Sequence, residues 1–255
     1  MFLHRLVNRG TLFRFVAFFL LSIVLLIVVA LWQTEDDYHQ LEMIKASIEE
    51  MSTDCPDIDA DLQDMTDRIE QAREEFPLVE NVPDEINDVF YYTISFFPEL
   101  KTTPIEFYFQ AVGTTVQVRP AVWSLLHPRD RRTYQVFINS ARNFDGVFFN
   151  DVPPKGQIGI LAHELAHILD YRNKNFFQII GTGLRFASNK ARASYEQSVD
   201  LLTIHKGFGE HIYRWTYYLE NKSMASDSYK AFKDLIYFSN AKINVLISEL
   251  EPACK

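Results

Sequence analysis

Residues 158–169 are apolar apart from His163, Glu164 and His167. A run of that length and composition predicts a buried helix rather than a strand. Burying three such polar groups is costly unless they have partners, so their placement constrains the fold around them. On a helix, positions i and i+4 share a face, and His163 and His167 can offer imidazole nitrogens to one metal ion. Glu164 lies about 100° further around the helix, where it can reach a water held by that metal. A Lewis acid, a water of lowered pKa and a base to take its proton are what hydrolysis of an unreactive amide requires. The competing expectation is a core helix with two hydrogen-bonded histidines and an incidental glutamate.

Two histidines do not complete a catalytic zinc site, which usually has three protein ligands and a water. The longer pattern H-E-x-x-H-x-x-G-x-x-H fails, because Asp170 and Asn173 occupy its Gly and third His positions. Further along, Glu196 and Asp200 are four apart and share a face of a second predicted helix. Glu196 can be the third ligand. Asp200 can accept the non-coordinating N–H of a histidine, which fixes the ring and its tautomer. A solvated acidic helix face is the bland alternative for this pair. His205 and His211 are rival ligands, although His205 is about half a turn off the Glu196 face. Asp170, three residues after His167, either supports that histidine or caps the helix.

His163-Glu164-x-x-His167 followed by Glu196-x-x-x-Asp200 resembles the gluzincin group of zinc metallopeptidases. The resemblance covers roughly residues 85–215 and is specific in the two motifs, with Val199 where an E-x-x-A-D second motif has Ala. It implies one zinc ion held by His163, His167 and Glu196, with Glu164 as general base and Asp200 supporting His163. An oxyanion donor is also needed. Candidates are His205, His211 and Tyr195, with Tyr171, Tyr213 and Tyr217 behind them. The implied substrate is a polypeptide. Two other classes stay open: a zincin-fold binding or assembly protein with a non-catalytic metal, and an exported amidase acting on cell-wall amides.

Arg5, Arg9 and Arg14 precede an uncharged run over residues 15–32, and Glu35, Asp36 and Asp37 follow it. The run is at the short end of the roughly 17–25 residues of a membrane span. Positive charge stays on the cytoplasmic side, so a single-pass anchor with an extracytoplasmic catalytic domain is expected. Secretion after signal cleavage near residues 28–30 is the alternative. The net charge of −9 argues against nucleic acid as a partner. Cys55 and Cys254 either pair across a long loop or stay as thiols.

The expected class is α+β, a zincin-like catalytic domain behind the anchor. Residues 1–33 form the cytoplasmic tip and anchor, 34–80 a helical stalk or cover, and 81–255 the metallopeptidase domain. Within that domain we expect a helix opening at Pro83, with Ile86, Val89, Phe90 and Ile94 on its buried face. Strands follow at 104–110, 114–118, 133–139 and 145–150. By the resemblance to zincins, in which an edge strand above the metal-binding helix pairs with extended substrate, the segment 144–149 is the candidate for that edge, with 133–139 second. After the H-E-x-x-H helix, helices are expected over 194–205, 210–220 and 228–250, with a break at Gly207-Phe208-Gly209.

Overall fold

The computed structural model describes residues 56–250 apart from Ile58 and Asp64. The apolar run 15–32, Cys55 and Cys254 lie outside them. Among the described residues, no helix is long and apolar enough to cross a membrane.

The chain is α+β. Helix α1 (Thr66–Glu75) leads to strand β1 (Val79–Glu80). A 3-10 turn (Asp84–Ile86) then opens α2 (Asn87–Ile94). Strands β2 (Ile105–Gln110), β3 (Val116–Pro120) and β4 (Tyr134–Asn139) complete a four-stranded sheet of order β1-β2-β4-β3. The β1–β2 and β2–β4 pairs are parallel and β3–β4 is antiparallel. One face alternates inward through Ile105, Phe107, Val116, Val118, Tyr134, Val136 and Ile138, and these are buried in the main core. The other carries Tyr108, Gln117 and Arg119, with the Arg119 guanidinium 4.4 Å from the Phe137 ring centroid. One packed face and one polar face is the pattern expected of a sheet covered on one side.

Helix α3 (Pro154–Asn173) packs under β3 and against α2. Pro154 is its first residue, where a missing N–H costs nothing. The chain continues through α4 (Phe176–Arg185), whose Asn175 and Gln178 form a reciprocal capping box, and α5 (Asn189–Thr203). A π turn (Ile204–Phe208) links α5 to α6 (Gly209–Asn221), with Gly207 kinking the chain at φ 85°. That left-handed conformation suits glycine and explains the expected break at this point. Helices α7 (Asp227–Ile236) and α8 (Asn240–Leu250) close the lower part.

Four expectations need correction. Residues 145–150 form no strand. Val147 and Phe149 are buried and mimic strand alternation. However, the Asp145 carbonyl accepts from Ser226 N–H at 2.8 Å and its carboxylate from the Ser226 hydroxyl at 2.8 Å, so the segment is tied to the start of α7. Nor is β4 an edge. It lies between β2 and β3, and β3 is the sheet margin beside α3.

The expected helix 228–250 is two helices. Tyr237 is extended at φ −103°, ψ 169°, and Asn240 opens α8 with its side chain bonded to Thr216 and Glu220 of α6. Leu235 of α7 is exposed.

Part of the segment expected to be a helical stalk or cover belongs to the core. Met65, Ile69, Ala72 and Phe76 of the α1 region are buried in the main cluster, and β1 is a strand of the sheet. The spacing of Leu62, Met65, Ile69 and Ala72 along this segment reflects burial against the domain.

Two close approaches seat α6 on α3. A Cβ built on Gly159 falls 2.4 Å from the His211 carbonyl oxygen and 2.9 Å from Ile212 N, so the α6 backbone rests directly on that glycine. Beside this contact His211 is buried, and neither ring nitrogen has a hydrogen-bond partner among the described residues. Burial, aided by the Lys155 and Arg214 charges, lowers its pKa to about 4. The unfolded chain takes up a proton near pH 6.5 that the folded chain refuses until about pH 4. His211 should therefore cost the fold up to ~3 kcal/mol as pH falls through that window, and nothing above it. Denaturant titrations at pH 7 and pH 4 should show His211→Leu losing less stability on acidification than the unsubstituted chain. An equal loss in both would refute the assignment.

Candidate metal centre

Helices α3 and α5 supply the whole centre. His163 and His167 project from one face of α3, and Glu196 from α5. Glu196 Oε2 lies 3.2 Å from Nε2 of each histidine. One ligand atom from each of the three residues falls within 4.8 Å of the others, so the group can hold a metal ion.

The outer nitrogens decide what the inner ones offer. His163 Nδ1 is 2.9 Å from Asp200 Oδ1. His167 Nδ1 is 3.1 Å from the Tyr195 hydroxyl, which itself donates to Asp170 Oδ2 at 2.9 Å. Lys174 Nζ also donates to Asp170, at 2.8 Å, and to Thr182 at 3.0 Å. With each Nδ1–H given to an acceptor, a neutral imidazole presents its Nε2 lone pair inward. Once Nε2 is deprotonated on both rings, two lone pairs and a carboxylate oxygen face one another in a buried space, a set that could hold a cation.

The electrostatics agree. Burial opposes charge on His163, but hydrogen bonds to the Asp200 and Glu196 carboxylates outweigh it and raise its pKa to about 10. Burial likewise works to raise the Glu196 carboxyl, yet the two histidines hold it well below the usual range. The centre thus favours positive charge among its donors.

Glu164 stands apart from the triad. It lines both a cleft of about 690 Å³ and a smaller chamber of about 50 Å³ on the His163 side. Burial raises its pKa, opposed by the histidines. The cleft is walled by β3 from Val116 to Pro120 above, and by Tyr171, Arg192 and Phe232 among others. Val116 and Tyr237 line both spaces.

The sequence-derived set divides cleanly. His163, Glu164, His167, Glu196 and Asp200 come together as expected. Tyr195 does not open onto the cleft as an oxyanion donor, because its hydroxyl is spent between His167 and Asp170. His205 and His211 line neither space beside Glu164.

Two residues were missed. Tyr237, with its ring centroid 5.6 Å from that of His163, enters through the α7–α8 break, which periodicity read as continuous helix. Arg192 sits one turn before Glu196, its Nε 3.8 Å from Glu196 Oε1 and its guanidinium against Phe186 and Phe232. Its i,i+4 spacing to Glu196 was the available signal.

Tyr195→Phe should remove the acceptor that orients His167 while keeping the ring. Metal affinity should fall about 10–100-fold, read by competition with a chromophoric chelator, with the far-ultraviolet spectrum unchanged. Unaltered affinity would mean the Tyr195 hydroxyl does not orient the ligand.

Comparison of the chain with protein-family models, with curated proteins and with solved structures gives no match.

Proposed function

We propose that this chain is a membrane-anchored, zinc-dependent endopeptidase of the zincin type, with residues 15–32 as its anchor and the catalytic domain on the extracytoplasmic side. The observation that carries this is a buried two-histidine, one-carboxylate set beside a glutamate outside it, all under an edge strand in an open cleft. Two imidazoles and a carboxylate suit zinc. The described residues bring three ligands together at this point, and a purely structural site has no use for a base beside it.

When bound, the ion supplies Lewis acidity toward a carbonyl and a water of lowered pKa. Glu164 would take a proton from the attacking water and pass it to the leaving nitrogen. Its burial-raised pKa lowers the cost of holding that proton in between. Tyr237 is our candidate donor to the developing oxyanion. Burial and the Glu196 and Glu164 charges push its pKa well above 10, so the hydroxyl keeps its proton. β3 can add an extended substrate as a further strand, which gives affinity through backbone bonds. Asp200, Tyr195 and Asp170 hold the histidine rings through the cycle.

The test is metal analysis of the purified full-length chain with a cleavage assay on an unstructured protein and on cell-wall fragments. One zinc per chain is expected, with polypeptide cleavage lost to a chelator and restored by zinc. Tyr237→Phe should lower kcat about 10²–10³-fold with little change in KM. Zinc bound without any cleavage would favour the binding-protein alternative, and cleavage of wall fragments alone the amidase.

A further inference from the structure

The edge strand β3 ends at Pro120, which pairs with Tyr134. Tyr134 in turn stacks on Tyr171 in the last turn of α3, with ring centroids 6.5 Å apart. One end of the cleft is therefore set where β3 stops, α3 finishes and α4 begins. Both flanks of that end turn large apolar side chains to water. The 3-10 turn Val122–Leu126 exposes Val122 at 78%, Trp123 at 59% and Leu126 at 83%. Helix α4 lines the cleft with Ile179 and Gly183, while its Phe177, Ile180 and Leu184 are 40–47% exposed. Arg132 Nη1 donates to the Lys174 carbonyl at 2.8 Å and joins the two flanks.

We infer that this end of the cleft docks on an anionic lipid bilayer, with Val122, Trp123 and Leu126 entering the interface. The chemistry of the turn points to lipid. Its apolar tip includes a tryptophan, the residue type that settles at headgroup depth. Exposed Arg129 and Arg131 follow within one short turn, with Asp130 between them, so the turn carries a net positive charge in a chain whose net charge is −9. A basic rim on an acidic protein complements an anionic surface, and apolar insertion with electrostatic attraction is how peripheral segments hold a membrane. The reach is sufficient: from the end of the apolar run at Trp32 to Pro56 the chain spans at most about 80 Å. Docked so, the cleft opens at the bilayer surface and admits polypeptide segments lying close to it. The inference rests on the anchor reading of residues 15–32 and not on hydrolysis.

The test uses the full-length chain with Cys55 and Cys254 replaced by Ser and a nitroxide on Leu126→Cys. It is reconstituted in phosphatidylcholine vesicles with and without phosphatidylglycerol. With the anionic lipid, collisions with oxygen should rise and collisions with a water-soluble nickel chelate should fall at least threefold relative to the same label on Met224→Cys, an exposed control. Without it, the label should move toward water. Equal aqueous access at both positions would overturn the proposal. So would protection of position 126 from both reagents, which would mean that protein covers the turn. Resistance to carbonate extraction tests the anchor separately. If carbonate strips the chain, sedimentation with the anionic vesicles decides, with binding expected for the unsubstituted chain and at least tenfold weaker for Val122→Ser/Trp123→Ser/Leu126→Ser. Glu164→Gln should give the same depth, so failure of docking and failure of the peptidase reading are distinguishable.

Discussion

Glu164→Gln is expected to keep the metal and lose hydrolysis. Glutamine is isosteric, and Glu164 is not one of the three residues that converge on the ion site. Bound zinc, measured by elemental analysis, should stay at the unsubstituted level. What disappears is the proton acceptor. General acid–base groups contribute about 10²–10⁴-fold, so turnover of an unstructured protein should fall by roughly that factor or more. Because burial raises the Glu164 pKa, the acid limb of the pH–rate profile should lie above the ordinary carboxylate range and vanish in the variant. Glu196→Ala is the contrasting lesion: it removes a ligand, and metal and activity should go together. Full turnover by Glu164→Gln would sink the proposed base.

The second large effect comes from a residue with no chemistry. Gly159→Ala places a methyl 2.4 Å from the His211 carbonyl oxygen, and the clash is with backbone rather than a pliable side chain. Helix α6 must move away, at a cost of roughly 2–4 kcal/mol. For a domain of this size, that should lower Tm by about 5–15 °C. The displacement should also reach the chemistry, because Ile212, Trp215 and Leu219 of α6 wall the chamber beside His163 and Glu164. Gly183→Ala is the matched control. Its Cβ meets nothing within 4 Å on helix α4, so it should be neutral or slightly stabilising. Equal Tm values for the two variants would mean that α6 does not rest on Gly159.

Much of the centre was legible in the sequence, for a geometric reason. The i,i+4 spacing of His163/His167 and of Glu196/Asp200 is set by the helix itself, so local periodicity placed each pair on a face. The buried face of α2 and strands β2 and β4 followed from the same kind of local pattern. What escaped depended on long-range packing. Val147 and Phe149 alternate like a strand, but their segment is claimed by Ser226. Tyr237 reached the site only because Asn240 found partners on α6 and interrupted a helix that periodicity favoured. Tyr195 looked like a free hydroxyl until Asp170 and His167 were seen to share it. The buried α1 was masked by its high charge, since a helix needs only a narrow apolar stripe to join a core.

Among the described residues, the three that could hold an ion and the groups hydrogen-bonded to their rings all come from the single stretch between Pro154 and Thr203. The sheet contributes none. Capture of an ion therefore requires only a helix pair joined by α4, and closing so short a stretch costs little chain entropy. Metal binding stabilises whatever state displays the intact donor set. In holo protein, amide exchange should accordingly persist longest in α3 and α5, even after β1 and α1 have opened. The centre can outlast the cleft built around it.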